Sequence, residues 1–533
     1  MAGKQRLMTL EKPRFSDGQL LLIVGSALFV LCGWPILLTP VPPYQDLPNH
    51  LAAVAVMENP GLYPEFVFNG FFKTNAALFA WLHVFGKLGG LYLGAKIFAL
   101  FVVAANAYVL PAAVLTFTGS RKRMVVASLF IWPMIHNWFV SSGMLDFALG
   151  IPLSLAMLIA IQRQRRSPSI ANGIAIPVLG ALTWYAHVFP LLVVHMLLLI
   201  EAALHRTGKD RISKRATVLP LLPVTALVLM SLYRQLTDSA AMSGSVNYKK
   251  MLPVWELVYN MFAEWMYGFS KLSITSLVAC LLLAAIAIPR RREAPPFFSP
   301  VAVVAMALLY CFTPYIMTNW FHVNSRVIPF IWMGLAMRVP DRLPRPMVAV
   351  LGVCAALYSA GMGADFIRLE RERREFTAGM DAVPEGSRLL PLLFHHKSTS
   401  DNTRNLLHYW GFYVTEKHTS APLLFAHSHS FPVIYSAPPP ERFNHLVLEG
   451  FAASATDPAD LCKRLFEGNV IVNDCSAAFR SMWRDFWVDA TPLYDHVLLW
   501  DPTPDARALV PDTYELVFEQ GRLSIYARIS SAK

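Results

Sequence analysis

The feature that most constrains this chain is a series of long apolar runs between residues 19 and 366. Each run is about long enough to cross the roughly 30 Å hydrocarbon core of a bilayer as a helix. Hydropathy gives about eleven runs, near residues 19–39, 94–117, 123–140, 145–162, 171–186, 188–204, 216–233, 272–289, 298–316, 324–338 and 346–366. With 55% hydrophobic and only 15% charged residues, the sequence predicts a polytopic α-helical membrane protein.

Basic residues cluster on alternate links between these runs. Residues 1–366 hold 29 of the 46 lysines and arginines, and 21 of those 29 lie in residues 4–14, 121–123, 163–166, 206–215, 290–292 and 338–345. By the positive-inside rule these links, including the N-terminus, are cytoplasmic. The run at 19–39 is longer than the apolar core of a signal peptide, so we expect it to be retained as the first span. The formal net charge of +11 is therefore a topology signal and gives no support to nucleic-acid binding.

The chain divides at residue 366 into two unlike parts. Residues 1–366 form the predicted membrane part, whereas residues 367–533 carry 17 basic and 21 acidic residues. With a cytoplasmic N-terminus, eleven spans place the second part on the far side of the membrane. The expected location is the periplasm, for a protein of the bacterial inner membrane, or an equivalent lumen. Strand-like runs alternate there with helix-like segments, which predicts a C-terminal soluble α/β domain with strands near residues 388–393, 469–472, 496–500 and 514–518.

Two cysteines, Cys462 and Cys475, lie outside the apolar runs. Two thiols a short distance apart in an oxidising compartment predict a disulfide, with two free buried thiols as the alternative. The same part holds eight of the fifteen histidines. Because no carboxylate or His–Glu spacing accompanies them, no metal site and no cofactor are predicted, although a divalent cation is left open.

The first non-cytoplasmic connection, residues 40–74, carries the strongest candidate for chemistry, Asp46. A short apolar helix follows it and ends near Pro60 and Gly61. One interpretation makes Asp46 the N-cap of that helix, with Pro48 in the first turn. The other makes it a general base, because a carboxylate at the boundary of water and membrane is partly desolvated. In that case Asn49 and His50 face the same pocket or pack the helix.

Further polar residues lie at the same ends of other spans, where ionisable groups are rare and usually functional. Each candidate also has a structural interpretation. For the histidines it is packing between helices. For Asp146 it is a buried interhelical hydrogen bond, and for Arg326 it is a salt bridge to Asp46 or Asp146. Arg326 is the preferred ligand for an anionic headgroup, since a guanidinium binds phosphate through two hydrogen bonds. The candidates are His136, Asp146, His187, His322 and Arg326.

The connection 235–271 is Ser- and Gly-rich, then basic at Lys249 and Lys250, then aromatic. This order fits a lid followed by an interfacial helix, or equally a surface loop with an aromatic belt. In either case Lys249 and Lys250 are placed to meet lipid phosphates.

With these residues in place, the chain resembles the C superfamily of glycosyltransferases (GT-C). An acidic residue in the loop after the first span, many spans with short links and a C-terminal α/β domain are similar to that superfamily. The stretch Gln45–Ala52 resembles the first loop of a group of related bacterial membrane proteins, as do three pieces of the C-terminal part, 408–412, 494–499 and 523–526. The chain lacks the Asp–Glu pair found in the first loop of better-known branches.

The resemblance implies inverting transfer of a sugar from a polyprenyl-phosphate donor to a lipid or glycan acceptor at the outer face of the membrane. Asp46 would be the catalytic base, and Arg326, Lys249 or His322 would stabilise the departing lipid phosphate without a metal. Two other classes remain open: a transporter or flippase-like protein, which usually shows internal repeats that are not seen in this sequence, and a noncatalytic membrane partner in envelope polysaccharide assembly.

Overall fold

A computed structural model gives the arrangement of most of the chain. The structure describes residues 15–204, 211–241, 249–266, 274–293, 295–317, 320–399, 403–427, 431–454, 456–467, 470 and 472–529. Most of these residues are helical, and a small sheet lies near the C-terminus. The protein is a polytopic helical membrane protein with a C-terminal α/β domain, as the sequence predicts.

The membrane part contains fifteen α-helices in the described ranges. Two short strands, β2 (Lys249–Lys250) and β3 (Ile316–Met317), pair within it. The helices are α1 Asp17–Gly33, α2 Leu47–Glu58, α3 Ala77–Gly89, α4 Leu91–Thr118, α5 Arg121–Ile135, α6 Trp138–Ser141, α7 Leu145–Arg166, α8 Ile170–Ala186, α9 Val188–Leu204, α10 Arg211–Ala241, α11 Val254–Met266, α12 Ile274–Ala287, α13 Pro300–Phe312, α14 Ile328–Ala336 and α15 Arg345–Phe376.

Within the described residues, five helical segments have the length and apolar composition to cross a membrane: Asp17–Leu38, Leu91–Thr118, Arg121–Ser141, Leu145–Arg166 and Arg345–Ala382. Six shorter apolar helices accompany them: Ala77–Gly89, Ile170–Ala186, Val188–Leu204, Val218–Arg234, Ile274–Arg290 and Pro300–Phe312. Helix α7 is central to this bundle, because it packs against α4, α8, α9 and α10.

Two elements differ from the predicted spans. The run at 324–338 holds only a 3₁₀ turn, Asn324–Val327, followed by the nine-residue helix α14, which at about 1.5 Å per residue is too short to span a bilayer. Every residue of α14 is buried by neighbouring helices, so its apolar character reflects the protein core. Conversely, α3 is apolar but was not among the predicted runs, because Gly89 and Gly90 end it after 13 residues.

The C-terminal domain is built on a four-stranded sheet in the order β4 (Leu389–Leu393), β6 (His496–Trp500), β8 (Leu523–Arg528), β7 (Tyr514–Gln520). Strands β4 and β6 are parallel and the other two pairs are antiparallel. Three of the four predicted strands are present. The fourth was predicted near 469–472. Residues 469 and 471 lie outside the described part of the chain, and the described residues Val470 and Val472 do not belong to a strand.

Helices flank this sheet, and the predicted sulfur pair joins two of them. Cys462 in α18 and Cys475 at the start of α19 form a disulfide. The helices of the domain are α16 Gly411–Lys417, α17 His445–Ser454, α18 Pro458–Glu467, α19 Cys475–Ala490 and α20 Pro504–Arg507.

The domain is fixed onto the first connection of the membrane part. Strand β1 (Phe66–Phe68) pairs antiparallel with β5 (Val433–Tyr435). Helix α16 packs against α2 so closely that a side chain at Gly411 would collide with the backbone carbonyl of Pro48. Helix α15 continues from the membrane part to Phe376, so the predicted boundary at 366 falls inside a helix, and the division into 1–366 and 367–533 stays a prediction.

Candidate functional site

A cavity of about 820 Å³ lies where the membrane helices meet the C-terminal domain. Its volume is in the range of sites that bind small molecules. Five regions line it: the start of α2 with the link before α7, the start of α3, the link between α8 and α9, the segments around β2, β3 and α11, and the C-terminal domain. Eight residues of the C-terminal domain line the cavity. Two of them are Leu407 and Phe431, and we call the other six the tail wall: Arg404, His408, Phe425, His427, His445 and Glu449.

Asp46 lies at the start of α2 and lines the cavity. Its backbone N–H donates to the carbonyl of Ser142 at 3.0 Å, which holds the loop against the link between α6 and α7. Gly143 has φ +88° there, and a Cβ at this position would lie 2.8 Å from the nitrogen of Asp46, so only glycine fits. Two neighbouring backbones therefore fix the position of this carboxylate.

The Asp46 side chain does not cap helix α2, although its backbone occupies the N-cap position. Oδ1 accepts a hydrogen bond from Gln45 Nε2 at 3.1 Å and lies 3.3 Å from Nε2 of His408. Oδ2 accepts no hydrogen bond from any residue that the structure describes. The carboxylate is 15% exposed, so one oxygen is held while the other is available to a ligand.

The two residues that follow Pro48 have different surroundings. His50 lines the cavity with its ring 5.1 Å from that of Phe79. Burial lowers the pKa of His50 to about 4, so the ring is neutral at pH 7. Asn49 does not line the cavity: its Nδ2 donates to the carbonyl of Leu423 and its Oδ1 accepts from the N–H of Phe425. Asn49 thus ties α2 to the C-terminal domain.

Asp146, in the first turn of α7, is buried and lines the cavity. Its Oδ1 accepts a hydrogen bond of 2.8 Å from the backbone N–H of Leu78 in α3. This is the interhelical hydrogen bond that the sequence offered as an alternative, and it coexists with the cavity position. His136, in contrast, does not line the cavity. Its Nδ1 lies 3.1 Å from the carbonyl oxygen of Cys32, and its ring packs against Tyr44.

Arg326 is only 7% exposed, yet it pairs with no carboxylate in the described part of the chain. Its Nη1 lies 2.5 Å from Nε2 of His187, and its Nη2 donates to the carbonyl of Phe321 at 3.4 Å. The guanidinium carbon lies 5.2 Å from the ring centre of Phe147 and 5.5 Å from that of Trp320. The predicted alternative, a salt bridge to Asp46 or Asp146, is absent among these residues.

The ring of His187 joins this arrangement. Its Nδ1 is 3.1 Å from the N–H of Phe189, in addition to the contact with Arg326. A neutral imidazole has one unprotonated nitrogen, so it accepts from only one of these two donors. Arg326 therefore keeps donor capacity, and its Nε has no partner among the described residues.

The remaining cationic candidates lie nearby. His322 lines the cavity with φ +56°, and its Nε2 is 3.1 Å from the hydroxyl of Tyr315. Lys250, in β2, is exposed and lines the cavity as well. The side chain of Lys249 lies outside the described residues. Asp46, His50, Asp146, His187, Lys250, His322 and Arg326 are thus brought to one cavity, whereas Asn49 and His136 are not.

The tail wall was not predicted from the sequence. The piece 408–412 enters the sequence analysis only through the resemblance, and His427 is one of the eight histidines counted in residues 367–533. Arg404 and Glu449 gave no signal, because a charged residue in a soluble domain is usually exposed. No group of three or more metal-ligating side chains with suitable geometry is found in the described part of the chain; the absence of a metal or other cofactor stays a prediction.

No protein-family model matches the chain, and no curated protein matches it by sequence. Solved structures do. The structure of ArnT from Cupriavidus metallidurans bound to undecaprenyl phosphate superposes with a TM-score of 0.54 at 11% identity, covering 97% of this chain and 99% of that one. ArnT of the same organism in the apo state gives 0.54 at 13% identity, with 96% and 98% covered. The chain therefore has the fold of the C superfamily of glycosyltransferases.

Proposed function

We propose that this protein is a membrane glycosyltransferase that moves a sugar from a polyprenyl-phosphate donor to a hydroxyl group of an acceptor, with inversion at the anomeric carbon. One observation carries the proposal: a single cavity holds the partly exposed carboxylate of Asp46 and the buried guanidinium of Arg326, which has no carboxylate partner among the described residues. These are a base and an anion ligand, the two groups that such a transfer needs.

Asp46 acts as the base. Its free oxygen, Oδ2, takes the proton from the acceptor hydroxyl as that oxygen bonds to the anomeric carbon. The bond from the anomeric carbon to the phosphate oxygen breaks, and its electron pair leaves with the polyprenyl phosphate. Attack from the face opposite the phosphate inverts the configuration.

Arg326 binds the leaving phosphate. A guanidinium in a buried position is costly unless an anion or a hydrogen-bond acceptor neutralises it. Rings of Phe147 and Trp320 and the carbonyl of Phe321 supply only part of that compensation. A phosphate monoester completes it, and Lys250 and His322 add donors at the same cavity. The structural neighbour bound to undecaprenyl phosphate supports this class of lipid.

Basic residues lie on every second link, and these links are on the predicted cytoplasmic side, which supports a location of the cavity on the opposite side of the membrane. The protein would then work in the inner membrane of a bacterium and have its C-terminal domain in the periplasm.

The test is transfer by the purified full-length protein in proteoliposomes. Undecaprenyl-phosphate-linked sugars are supplied with a total envelope extract as acceptor, and release of undecaprenyl phosphate is followed by mass spectrometry. Asp46→Asn should lower release by about 100-fold or more, since proton transfer in the transition state is worth that much. Asp381→Asn, which changes an exposed aspartate of the C-terminal domain, is the matched control. Unchanged release by Asp46→Asn in folded protein overturns the assignment of the base, and no release from any donor by the wild type overturns the function.

A further inference from the structure

Four aromatic rings of the tail wall contact one another. The rings of His427 and His445 are stacked with their centres 5.3 Å apart and their planes 27° apart. The ring of Phe425 lies 5.5 Å from that of His445 and 4.9 Å from that of His408. All four residues line the cavity, so aromatic surface is available there to the C–H groups of a sugar ring.

The same wall carries polar atoms that have no partner among the described residues. They are Nδ1 of His408, Nε2 of His427, Nδ1 of His445 and Oε1 of Glu449. The His408 side chain is only 2% exposed. Leaving a buried polar atom without a partner costs on the order of 1–3 kcal/mol. Four such atoms on one cavity wall are consistent with a site that is completed by a polar ligand.

The protonation states favour hydroxyl groups as that ligand. Burial lowers the pKa of His427 to about 4 and that of His445 to about 3, so both rings are neutral at pH 7. A neutral imidazole has one donor and one acceptor, as a hydroxyl has. Burial raises the pKa of Glu449 to about 7, with a smaller opposing effect from His408, so this carboxyl donates or accepts near neutral pH.

Charged groups of both signs lie near the tail wall. Asp46 and Glu449 supply negative charge and Arg404 supplies positive charge, all lining the cavity. An anionic ligand at the tail wall, in addition to the lipid phosphate, would be repelled by the two carboxyl groups. A cationic ligand would be repelled by Arg404. Arg326 and Lys250, which suit a phosphate, lie on the membrane part of the cavity instead.

We infer that the tail wall, through Phe425, His427, His445 and Glu449, is a subsite for a neutral sugar ring of the acceptor. This inference rests on the proposed function, because it places the acceptor hydroxyl beside Asp46. The substrate class is thereby a neutral glycan or glycolipid headgroup, and the specificity for it lies in the C-terminal domain.

The subsite is tested by binding alone, so its failure is separable from failure of catalysis. Saturation-transfer NMR on the full-length protein in nanodiscs uses methyl glucoside, methyl mannoside and methyl galactoside as probes, with glucosamine and glucuronic acid as the charged counterparts. We expect a neutral glycoside to bind more tightly than either charged sugar. His427→Asn and His445→Asn should each weaken binding about tenfold, the effect of roughly one lost buried hydrogen bond.

His418→Asn is the matched control, because His418 lies outside the cavity and its φ of +51° suits asparagine. Retained binding of undecaprenyl phosphate by the two test variants shows that they are folded. Equal binding by these variants and the control, preference for a charged sugar, or no binding of any glycoside to the wild type overturns the subsite. Loss of glycoside binding in both variants, with transfer unaffected by Asp46→Asn, would keep the subsite and remove the proposed base.

Discussion

Nε2 of His408, in the C-terminal domain, lies 3.3 Å from Oδ1 of Asp46, in the first connection of the membrane part. The two residues are 362 positions apart in the sequence, and only 2% of the His408 side chain is exposed. The contact engages Oδ1 of Asp46, whereas Oδ2 accepts no hydrogen bond from the described residues. The C-terminal domain therefore does more than cover the cavity, because it orients the proposed base.

His408 is expected to act as a positioning residue for Asp46. His408→Ala should lower kcat for sugar transfer by about tenfold to 100-fold, since contacts to charged groups contribute roughly 1.5–3 kcal/mol. The KM for the lipid donor should stay nearly unchanged, because Arg326 and Lys250 lie on another wall. His408→Gln, which retains a donor, should recover part of kcat. Steady-state kinetics in proteoliposomes measures both constants, and an equal loss in the Ala and Gln variants would indicate a purely packing role.

Arg326 should control affinity for the lipid phosphate. Arg326→Gln removes the charge but keeps similar length, and it should weaken binding of undecaprenyl phosphate about 10-fold to 100-fold, as expected for a charged hydrogen-bonded pair. Arg326→Lys should restore little of this, because an ammonium cannot form the paired hydrogen bonds or occupy the space between Phe147 and Trp320 in the same way. Scintillation proximity binding with labelled undecaprenyl phosphate gives the constants. Arg234→Gln, at an exposed arginine that does not line the cavity, is the control.

Acid should destabilise the C-terminal domain through its buried histidines. Burial lowers the pKa of His427 and His396 to about 4 and that of His445 to about 3, from an ordinary 6.5. The unfolded chain then binds more protons than the folded one, so this stability is present above pH 6.5 and is lost as pH falls toward 4. Glu449 acts oppositely, because its raised pKa of about 7 favours the folded state at lower pH.

Thermal unfolding followed by intrinsic fluorescence at a series of pH values tests this balance. The wild-type Tm should fall between about pH 6.5 and pH 4, since three histidines outweigh one glutamate. The His427→Asn, His445→Asn double variant should flatten this dependence, whereas Glu449→Gln should steepen it. A pH profile that is the same in all three proteins would contradict the assigned protonation states.

The fold could be predicted from the sequence because its strongest signals are local. Long apolar runs indicate helices such as α4 and α7. Short strand-like runs between helix-like segments indicate β6 and β7. Helix α14 was mistaken for a span because burial in a protein core and burial in lipid give the same composition. The C-terminal half of the site could not be predicted, because His408 and Glu449 reach the cavity through long-range contacts, among them pairing of β1 with β5 and packing of α16 on α2.

That packing depends on Gly411, which gives the final prediction. A Cβ at this residue would overlap the backbone carbonyl of Pro48, and backbone atoms cannot move aside as a flexible side chain would. Gly411→Ala should therefore separate α16 from α2, cost about 1–3 kcal/mol of stability as overpacking does, and draw His408 away from Asp46. Gly450→Ala is the matched control: this glycine lies in α17 with open space around it, so alanine should leave Tm unchanged or raise it slightly. We expect Gly411→Ala to lower both Tm and kcat while the control lowers neither. Wild-type values in Gly411→Ala would show that the contact between these two helices does not position the site.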